Sequence, residues 1–369
     1  MDICELATPA ILLDMDILER NIQRYQQAAD QSKKQLWPMT KTHKSTRIAK
    51  MQKDAGAAGF LCGTLDECEA FCDLGLPVMY AYPPAGERNL QRIVSLAKRC
   101  DLILRLDSMD GAREIDRLIR AYDAKAGYTA IVDSGLHRFG IPPSEVAEFV
   151  RTTERRCPGL RFRGISTHPG HVYGAAGPEE VPAYADQERS AAEEALKVLH
   201  ECGLEPELVT SGSTPTFLSM CGKSAYNVLH PGNYVFHDSI QIANGTAKEA
   251  DCALTVLAAV ISRPAPDRLL IDAGAKCLGL DMGAHGCASV KGHGTVLGHP
   301  ELTIYSLSEE VGKVHIEGDT DLRIGDMVRI IPNHSCAAAN NTGLYMCTRG
   351  SGVIGEISVD VRGNARTKL

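Results

Sequence analysis

Residues 101–133 of the chain read DLILRLDSMDGAREIDRLIRAYDAKAGYTAIVD. An apolar run ends at Leu106, a stretch with helical periodicity covers Ala112–Tyr122, and a second apolar run ends at Asp133. A strand, a helix and a strand in this order are typical of a βαβ unit, in which a crossover helix joins two parallel strands. The stretch therefore predicts an α/β fold built on a parallel sheet.

Further strand and helix repeats flank this stretch on both sides. Helical periodicity recurs over Leu65–Leu74, Asn89–Lys98 and Ala191–Leu199. Eight strands that alternate with helices over about 240 residues predict a (β/α)8 barrel, and an open doubly wound sheet is disfavoured because no GxGxxG motif follows an early strand. The predicted strands end at or near Lys41, Gly63, Tyr82, Leu106, Asp133, Thr167, Thr210 and Leu229.

The sequence changes character after residue 250. Short β-rich segments, separated by Gly and Asp turns and without a clear amphipathic helix between them, predict a C-terminal antiparallel β domain. We assign residues 10–248 to the barrel and 249–369, together with 1–9, to the β domain. The β-rich segments are Cys252–Ile261, Arg268–Asp272, Leu302–Leu307, Lys313–Ile316 and Met327–Ile331.

Composition argues against several classes of protein. The 369 residues carry a net charge of −7 without a basic stripe, which disfavours nucleic acid as a partner. The longest apolar run, Cys252–Ile261, is about half of what a membrane-spanning helix needs, and the N-terminus does not resemble a signal peptide. We therefore expect a cytoplasmic protein whose 13 cysteines are mostly reduced.

In a barrel of this kind, the carboxyl ends of the strands carry the chemistry. These ends are rich in His, Tyr, Ser and Gly, whereas a solvated loop face would favour Glu, Lys, Asp and Asn. Lys41 follows the apolar stretch Leu36–Met39, where partial desolvation would lower the pKa of the amine and suit it to Schiff-base chemistry. From its position alone, an ordinary surface lysine is an equally good interpretation.

Two further segments suggest binding sites. Ser211–Thr214, between the seventh strand and a predicted helix, and Gly232–Asn233 after the eighth strand have the composition of a phosphate site, although a plain helix-capping loop is the alternative. His334 and Cys336 form a His-x-Cys pair at the end of a strand, a pattern that fits Zn²⁺. Because two ligands are not a site, a hydrogen-bonded histidine beside a buried cysteine remains the alternative.

A series of motifs, in one order along nearly the whole chain, resembles the D-serine dehydratase and D-threonine aldolase family. The fold of that family is that of alanine racemase, fold type III, in which a pyridoxal-phosphate-binding barrel precedes a β domain. The motifs are Thr8–Ala10, Lys41–Lys44, Gly135–Gly140, Thr167–Tyr173, Gly212–Thr216, Pro231–Phe236, Asp272–Gly274 and Pro332–Cys336.

The resemblance implies pyridoxal 5'-phosphate as cofactor, assisted by a divalent metal: zinc, or else manganese or magnesium. Lys41 would form the Schiff base and transfer the Cα proton, with Arg138 near the ring oxygen, His168 close to the ring and Tyr173 near the substrate. His334 and Cys336 would bind the metal, which contacts the β-hydroxyl of the substrate. The remaining cofactor contacts would come from Ser211, Gly212, Ser213, Thr214, Gly232, Asn233 and Tyr234.

The resemblance also implies a lyase that acts on small D-β-hydroxy amino acids. Dehydration is favoured over aldol cleavage by the Thr167–Tyr173 stretch and by Cys336, since bacterial aldolases of the family pair the histidine with Asp. Two positions depart from the pattern: His230 stands where alanine racemase has an Arg that faces the pyridine nitrogen, and Val311 stands where relatives often have His.

Two other functions stay open beside the lyase. A racemase would need a second base, a tyrosine of the β domain such as Tyr305 or Tyr345. A non-catalytic pyridoxal-phosphate carrier would lack the β domain that the sequence predicts. Because the fold family forms dimers with sites completed across the interface, we also expect a homodimer.

Overall fold

The structure, a computed structural model, describes residues 1–222, 224–284 and 289–362. After a 3-10 turn at Ile3–Glu5, strand β1 (Ala10–Asp14) leads directly into helix α1 (Met15–Gln31). Asp14 caps the helix, because its carboxylate accepts the backbone N–H of Ile17 at 3.0 Å. Leu18 and Ile22 lie on the buried face of α1, as the spacing of its apolar residues requires.

Eight parallel strands within the described residues form the barrel sheet, in the order β2-β9-β8-β7-β6-β5-β4-β3. A bridge between Met39 and Leu61 joins the segment after β2 to β3. The predicted (β/α)8 architecture is confirmed. The strands are β2 (Gln35–Leu36), β3 (Phe60–Cys62), β4 (Val78–Tyr80), β5 (Leu102–Leu106), β6 (Ala126–Ile131), β7 (Leu160–Ser166), β8 (Leu208–Ser211) and β9 (Val228–Leu229).

Helices follow the strands and cover the outside of the barrel. In the helix between β5 and β6, Ile115, Leu118 and Ile119 are buried, which places its apolar stripe against the sheet. The predicted helical stretches are all recovered; most ends differ by a few residues, but the helix predicted over Ala191–Leu199 begins ten residues earlier, at Val181. The helices are α2 (Thr46–Ala55), α3 (Leu65–Phe71), α4 (Glu87–Ala97), α5 (Met109–Ala121), α6 (Val146–Arg156), α7 (Val181–Glu201), α8 (Phe217–Cys221) and α9 (Ser239–Ala243).

From Leu254 onward, the described strands belong to a second sheet. Its neighbours pair antiparallel, except that β1 runs parallel to the strand Leu344–Arg349. The strands are β10 (Leu254–Ala265), β11 (Arg268–Ile271), β12 (Thr295–Val296), β13 (Leu302–Leu307), β14 (Gly312–Ile316), β15 (Met327–Ile331), β16 (Leu344–Arg349) and β17 (Gly352–Ser358).

The second sheet has two features that the sequence did not indicate. β1 belongs to this sheet although the predicted barrel starts at residue 10, because its apolar residues pair with β10 on one side and β16 on the other. Two short helices, α10 (Ala275–Leu278) and α11 (Ser335–Asn341), lie in this part of the chain, where the sequence shows no clear amphipathic helix. With four and seven residues, they are too short to leave a periodic pattern in the sequence.

None of the 12 cysteines in the described part of the chain forms a disulfide. Half of these thiols are buried, as expected for small hydrophobic side chains. Cys287 lies outside the described residues. Among the described helices, none combines the length and the apolar character that crossing a membrane would require.

Candidate active site

A cavity of about 270 Å³ lies where the carboxyl ends of the barrel strands meet the second domain. Its wall combines residues that are far apart in sequence, from the turn after β2 to the start of α11. Residues proposed for the cofactor, the substrate and the metal therefore share one space. Those brought together are Lys41, Arg138, His168, Tyr173, Gly212, Ser213, Thr214, Gly232, Asn233, His334 and Cys336.

Two predicted cofactor contacts, Ser211 and Tyr234, do not line this cavity. The Ser211 hydroxyl donates to Oε1 of Glu188 at 2.9 Å, inside the barrel wall. The Tyr234 ring is fully buried, and its hydroxyl accepts a hydrogen bond of 3.0 Å from Nε2 of Gln52. Successive side chains point in different directions, so adjacency in sequence to the phosphate-loop residues does not bring these two side chains into the cavity.

Lys41 lies in a single 3-10 turn, Thr40–Thr42, that follows β2. Two glycines let neighbouring backbone approach this turn closely. A Cβ atom added at Gly63 would lie 2.9 Å from Cβ of Lys41, and one added at Gly232 would lie 3.0 Å from Oγ1 of Thr42. The turn is therefore held between β3 and the loop after β9, which fixes Lys41 in the cavity wall.

A buried carboxylate, Glu67, holds the same turn from inside the protein. Its Oε2 accepts the Thr40 hydroxyl at 2.6 Å and the Gly63 N–H at 2.8 Å, and its Oε1 accepts the Lys44 ammonium at 2.8 Å. Both side chains of the ion pair are buried. Loss of either partner would leave an unpaired buried charge, so the turn depends on both.

Two loops border the cavity beside Lys41: Gly212–Thr214 after β8 and Gly232–Asn233 after β9. The Thr214 hydroxyl is buried and has no hydrogen-bond partner among the described residues. A Cβ atom at Gly212 would lie 3.0 Å from Cβ of His230, so glycine is needed for this close packing. The loops leave polar hydrogen-bonding groups available to a ligand, as an anion site does.

His168, just beyond the end of β7, is held by a hydrogen bond from Nδ1 to the carbonyl oxygen of Gly212. A carbonyl oxygen only accepts, so Nδ1 carries the hydrogen in this tautomer. Burial and the neighbouring positive charges of Lys41 and Arg138 hold the pKa of His168 well below its usual range. The imidazole is therefore neutral at pH 7, which avoids a further cation beside Lys41.

Two guanidinium groups also line the cavity. Cζ of Arg138 lies 4.4 Å from the ring centroid of Phe139 and 5.7 Å from that of Tyr82. Arg105 is buried, its Nε donates to Oγ of Ser166 at 2.9 Å, and burial lowers its pKa to about 10. The remaining nitrogens of the Arg105 guanidinium donate to the carbonyl oxygens of Ala81 and Thr167 at 3.4 Å. With no carboxylate partner for either guanidinium among the described residues, both can offer positive charge to an anionic ligand.

His334 and Cys336 reach the cavity from the start of α11, not from a strand end. Sγ of Cys336 lies 3.3 Å from Oγ1 of Thr42, and Nδ1 of His334 lies 3.6 Å from Oδ2 of Asp281. Burial opposes a charge on both groups. The positive charges of His334 and Lys41 nevertheless hold the pKa of the Cys336 thiol below its usual value. Cys336 and Asp281 in turn hold the pKa of His334 well above its usual value. An imidazole with a thiolate is a donor set that zinc prefers.

Asp238 connects the two walls of the cavity. It is fully buried, and its Oδ2 accepts Nδ2 of Asn233 at 2.6 Å and the backbone N–H of Ser335 at 2.9 Å. Burial raises the pKa of this carboxyl. Because Asn233 belongs to the loop after β9 and Ser335 to α11, Asp238 fixes the metal-ligand pair relative to the barrel.

Three cavity residues, Arg105, Asp238 and Gln241, do not emerge from the sequence reasoning. Arg105 has a signal: it is the one charged residue in the apolar strand Leu102–Leu106, and an unpaired buried charge is costly unless it binds a ligand. Asp238 caps the five-residue helix α9, which is too short to predict. Gln241 donates from Nε2 to the Tyr173 hydroxyl at 3.4 Å, a contact that only the tertiary fold creates.

Two family matches cover most of the chain. Residues 13–239 match the alanine racemase N-terminal domain. Residues 253–348 match a serine dehydratase domain. The two matches follow each other in the order of the barrel and the second sheet.

Similar proteins match the chain over nearly its full length. The D-threo-3-hydroxyaspartate dehydratase of Delftia sp. (strain HT23) is 31% identical over 95% of this chain and 96% of its own. The D-serine dehydratase of Dictyostelium discoideum is 28% identical over 92% of each chain. The crystal structure of D-threonine aldolase from Filomicrobium marinum superposes with a TM-score of 0.88, at 28% identity over 98% of this chain and 97% of its own.

Two variant structures of a D-threo-3-hydroxyaspartate dehydratase are also similar, both at 29% identity and with TM-scores of 0.89 and 0.88. They cover 97% of this chain and 96% and 98% of their own. One carries alanine in place of a histidine, and the other carries alanine in place of the cysteine two positions later and is in a metal-free form. The same spacing separates His334 from Cys336.

Proposed function

We propose that this protein is a lyase that dehydrates a D-β-hydroxy amino acid to ammonia and a 2-keto acid. The chain belongs to the family in which an alanine racemase N-terminal domain is followed by a serine dehydratase domain. Pyridoxal 5'-phosphate and a divalent metal are its proposed cofactors. One observation carries this proposal: Lys41 and the His334–Cys336 pair line the same cavity. A covalent anchor and two soft metal ligands are thus within reach of one small substrate.

Pyridoxal phosphate fits the residues of this cavity. The unpartnered, buried Thr214 hydroxyl and the close-packed glycines Gly212 and Gly232 suit a phosphate group beside Lys41. Arg138 and Arg105, which line the cavity, would supply positive charge for the phenolic oxygen of the ring. When bound, this cofactor withdraws electrons from the Cα atom of an attached amino acid.

A divalent metal fits the pair of ligands, and we propose zinc. The side chains of His334 and Cys336 are a nitrogen and a sulfur donor, a combination that suits zinc better than magnesium or manganese. Within the described ranges, no group of three or more His, Cys, Asp or Glu side chains is arranged to hold a metal. A site with two protein ligands leaves positions open for a substrate oxygen, and a metal there supplies a Lewis acid.

The protein's own residues have three proposed roles in the reaction. The Nζ atom of Lys41 takes the proton from Cα of the substrate. His168 stays neutral and adds no positive charge to the cavity. Burial raises the pKa of Tyr173, so its hydroxyl keeps its proton and can donate a hydrogen bond to the substrate while it accepts one from Gln241.

Two of the alternative functions find no support in the described structure. A racemase would need a second base from the β domain, but the Tyr345 hydroxyl donates to the His43 carbonyl and Tyr305 is 46% exposed on β13. Neither tyrosine lines the cavity of its own chain. A carrier without a β domain does not account for His334 and Cys336 in the cavity wall. Aldol cleavage to glycine and an aldehyde is the second candidate, favoured by the likeness to the Filomicrobium aldolase.

The proposal is tested by product analysis with the purified protein, pyridoxal phosphate and zinc. D-serine, L-serine and D-threonine are supplied separately, and ammonia, 2-keto acid, glycine and aldehyde are measured by chromatography. We expect ammonia and 2-keto acid from the D-isomers only, and no turnover after treatment with EDTA. Glycine and acetaldehyde as the main products from D-threonine would identify an aldolase instead.

A further inference from the structure

His230 is a buried cavity residue that the proposed reaction leaves without a role. It follows β9, its side chain is 3% exposed, and it lines the cavity. Its Nδ1 atom lies 2.8 Å from the carbonyl oxygen of Trp37. Because a carbonyl oxygen can only accept, the hydrogen of the neutral ring is on Nδ1, and this assigns the tautomer from the hydrogen bond.

The other ring nitrogen, Nε2, is buried and has no hydrogen-bond partner among the described residues. Burial lowers the pKa of His230 to about 3, so the ring does not take a second proton at neutral pH. Nε2 is therefore a bare hydrogen-bond acceptor in the wall of a ligand cavity. A buried acceptor of this kind is unfavourable unless a ligand donates to it.

The chemistry of the proposed cofactor identifies the donor, and this step rests on the proposed function. The phosphate is an anion that accepts hydrogen bonds, and the aldehyde carbon is consumed by the bond to Lys41. The guanidinium groups of Arg105 and Arg138 in the cavity wall would favour the phenolic oxygen as an anion, which would also accept. Of the polar groups of the cofactor, the ring nitrogen is the one that would hold a proton without cancelling an anionic charge, so it is the donor that would best match Nε2 of His230.

We propose that Nε2 of His230 accepts a hydrogen bond from the protonated ring nitrogen of pyridoxal phosphate and keeps that ring in the pyridinium form. The positive charge of Arg105 disfavours a positive charge on His230. It would likewise disfavour a positive charge on the pyridine ring of the cofactor. The hydrogen bond to Nε2 of His230 therefore has to outweigh the repulsion from Arg105. A pyridinium withdraws electrons more strongly than a neutral pyridine, which suits removal of a Cα proton.

The test is the ¹⁵N chemical shift of pyridoxal phosphate labelled at the ring nitrogen and bound to the protein. The wild type, once the cofactor is linked to Lys41, should show the shift of a pyridinium. His230→Phe, which has no acceptor, should move the shift toward that of unprotonated pyridine. His171→Phe is the matched control, because His171 does not line the cavity, and it should leave the shift unchanged.

A second measurement needs no variant and keeps the proposal testable if His230→Phe fails to fold. The wild-type apoprotein should bind pyridoxal phosphate at least about tenfold more tightly than the analogue with CH in place of the ring nitrogen. A wild-type protein that carries the cofactor on Lys41 but shows the shift of unprotonated pyridine, or equal affinity for both compounds, overturns the role of His230 alone. Failure to form any covalent bond with Lys41 overturns the proposed function as well.

Discussion

The Tyr345 hydroxyl of the second domain donates a hydrogen bond of 2.8 Å to the backbone carbonyl of His43, two residues beyond Lys41. Both residues are fully buried. The second domain therefore contributes to the site in two ways: it supplies the His334–Cys336 pair, and it braces the turn that carries the lysine.

Replacement of Tyr345 by Phe should lower the free energy of unfolding by about 1–3 kcal/mol, because the His43 carbonyl would stay buried without a donor. The displaced turn should also weaken binding of pyridoxal phosphate several-fold. Urea unfolding and titration of the apoprotein measure the two effects. Tyr305→Phe, on an exposed tyrosine, is the control, and equal stability of the two variants would contradict this reading.

Replacement of Glu67 by Gln should destabilise the protein by about 3–5 kcal/mol, because the buried Lys44 ammonium would lose its counterion. We expect affinity for pyridoxal phosphate to fall at least about tenfold as the Thr40–Thr42 turn loses its anchor. Glu69→Gln is a matched control: its partner Arg92 is partly exposed, so the loss should stay below about 1 kcal/mol. A Glu67→Gln protein with wild-type stability and cofactor affinity would contradict the assigned role.

Replacement of Cys336 by Ala should abolish zinc binding while the covalent link between pyridoxal phosphate and Lys41 persists. Removal of one of two protein ligands should weaken zinc binding by at least about a hundredfold. Zinc per chain is measured by elemental analysis after dialysis, and the cofactor link by absorbance. Cys202→Ala serves as control, since Cys202 does not line the cavity. If the Cys336→Ala variant retained one zinc per chain, Cys336 would not be a zinc ligand.

Glu188, buried behind β7 and β8, should make stability depend on pH. Burial raises the pKa of this carboxyl from 4.5 to about 7, so the folded state retains a proton that the unfolded state has lost. The protonated Glu188 carboxyl therefore contributes on the order of 3 kcal/mol to the free energy of unfolding. This contribution is fully present below pH 4.5 and is lost as the pH rises toward 7.

The stability difference between wild type and Glu188→Gln isolates this effect, because other titrating groups are common to both proteins. Thermal unfolding at several pH values between 5 and about 8 should show the wild type losing stability relative to the variant as the pH rises. A constant difference across this range would show that Glu188 does not titrate as described.

The barrel could be predicted from the sequence because each buried parallel strand is a short apolar run between helical stretches. The second sheet was harder: β12, with two residues, is too short to detect, and β1 pairs with strands that follow it by more than 200 positions. No local sequence pattern predicts a pairing over such a distance. The homodimer and the domain boundaries stay predictions.

Some of the cavity residues could likewise be predicted from the sequence, and others could not. Lys41, His168 and Cys336 lie in motifs that the sequence displays, and the structure brings them to one cavity. Ser211 and Tyr234 also lie in motifs, but their side chains point elsewhere, because a motif does not specify side-chain direction. Asp238 is recognisable only once α11 is known to pack against the loop after β9.

Covalent attachment of the cofactor to Lys41 is the claim on which the account depends most. The protein is incubated with pyridoxal phosphate, reduced with borohydride, digested, and mapped by mass spectrometry. We predict a stable phosphopyridoxyl group on Lys41 and its absence from the Lys41→Ala variant. A modification found mainly on another lysine, such as Lys44, or equal labelling of the variant, would contradict the account.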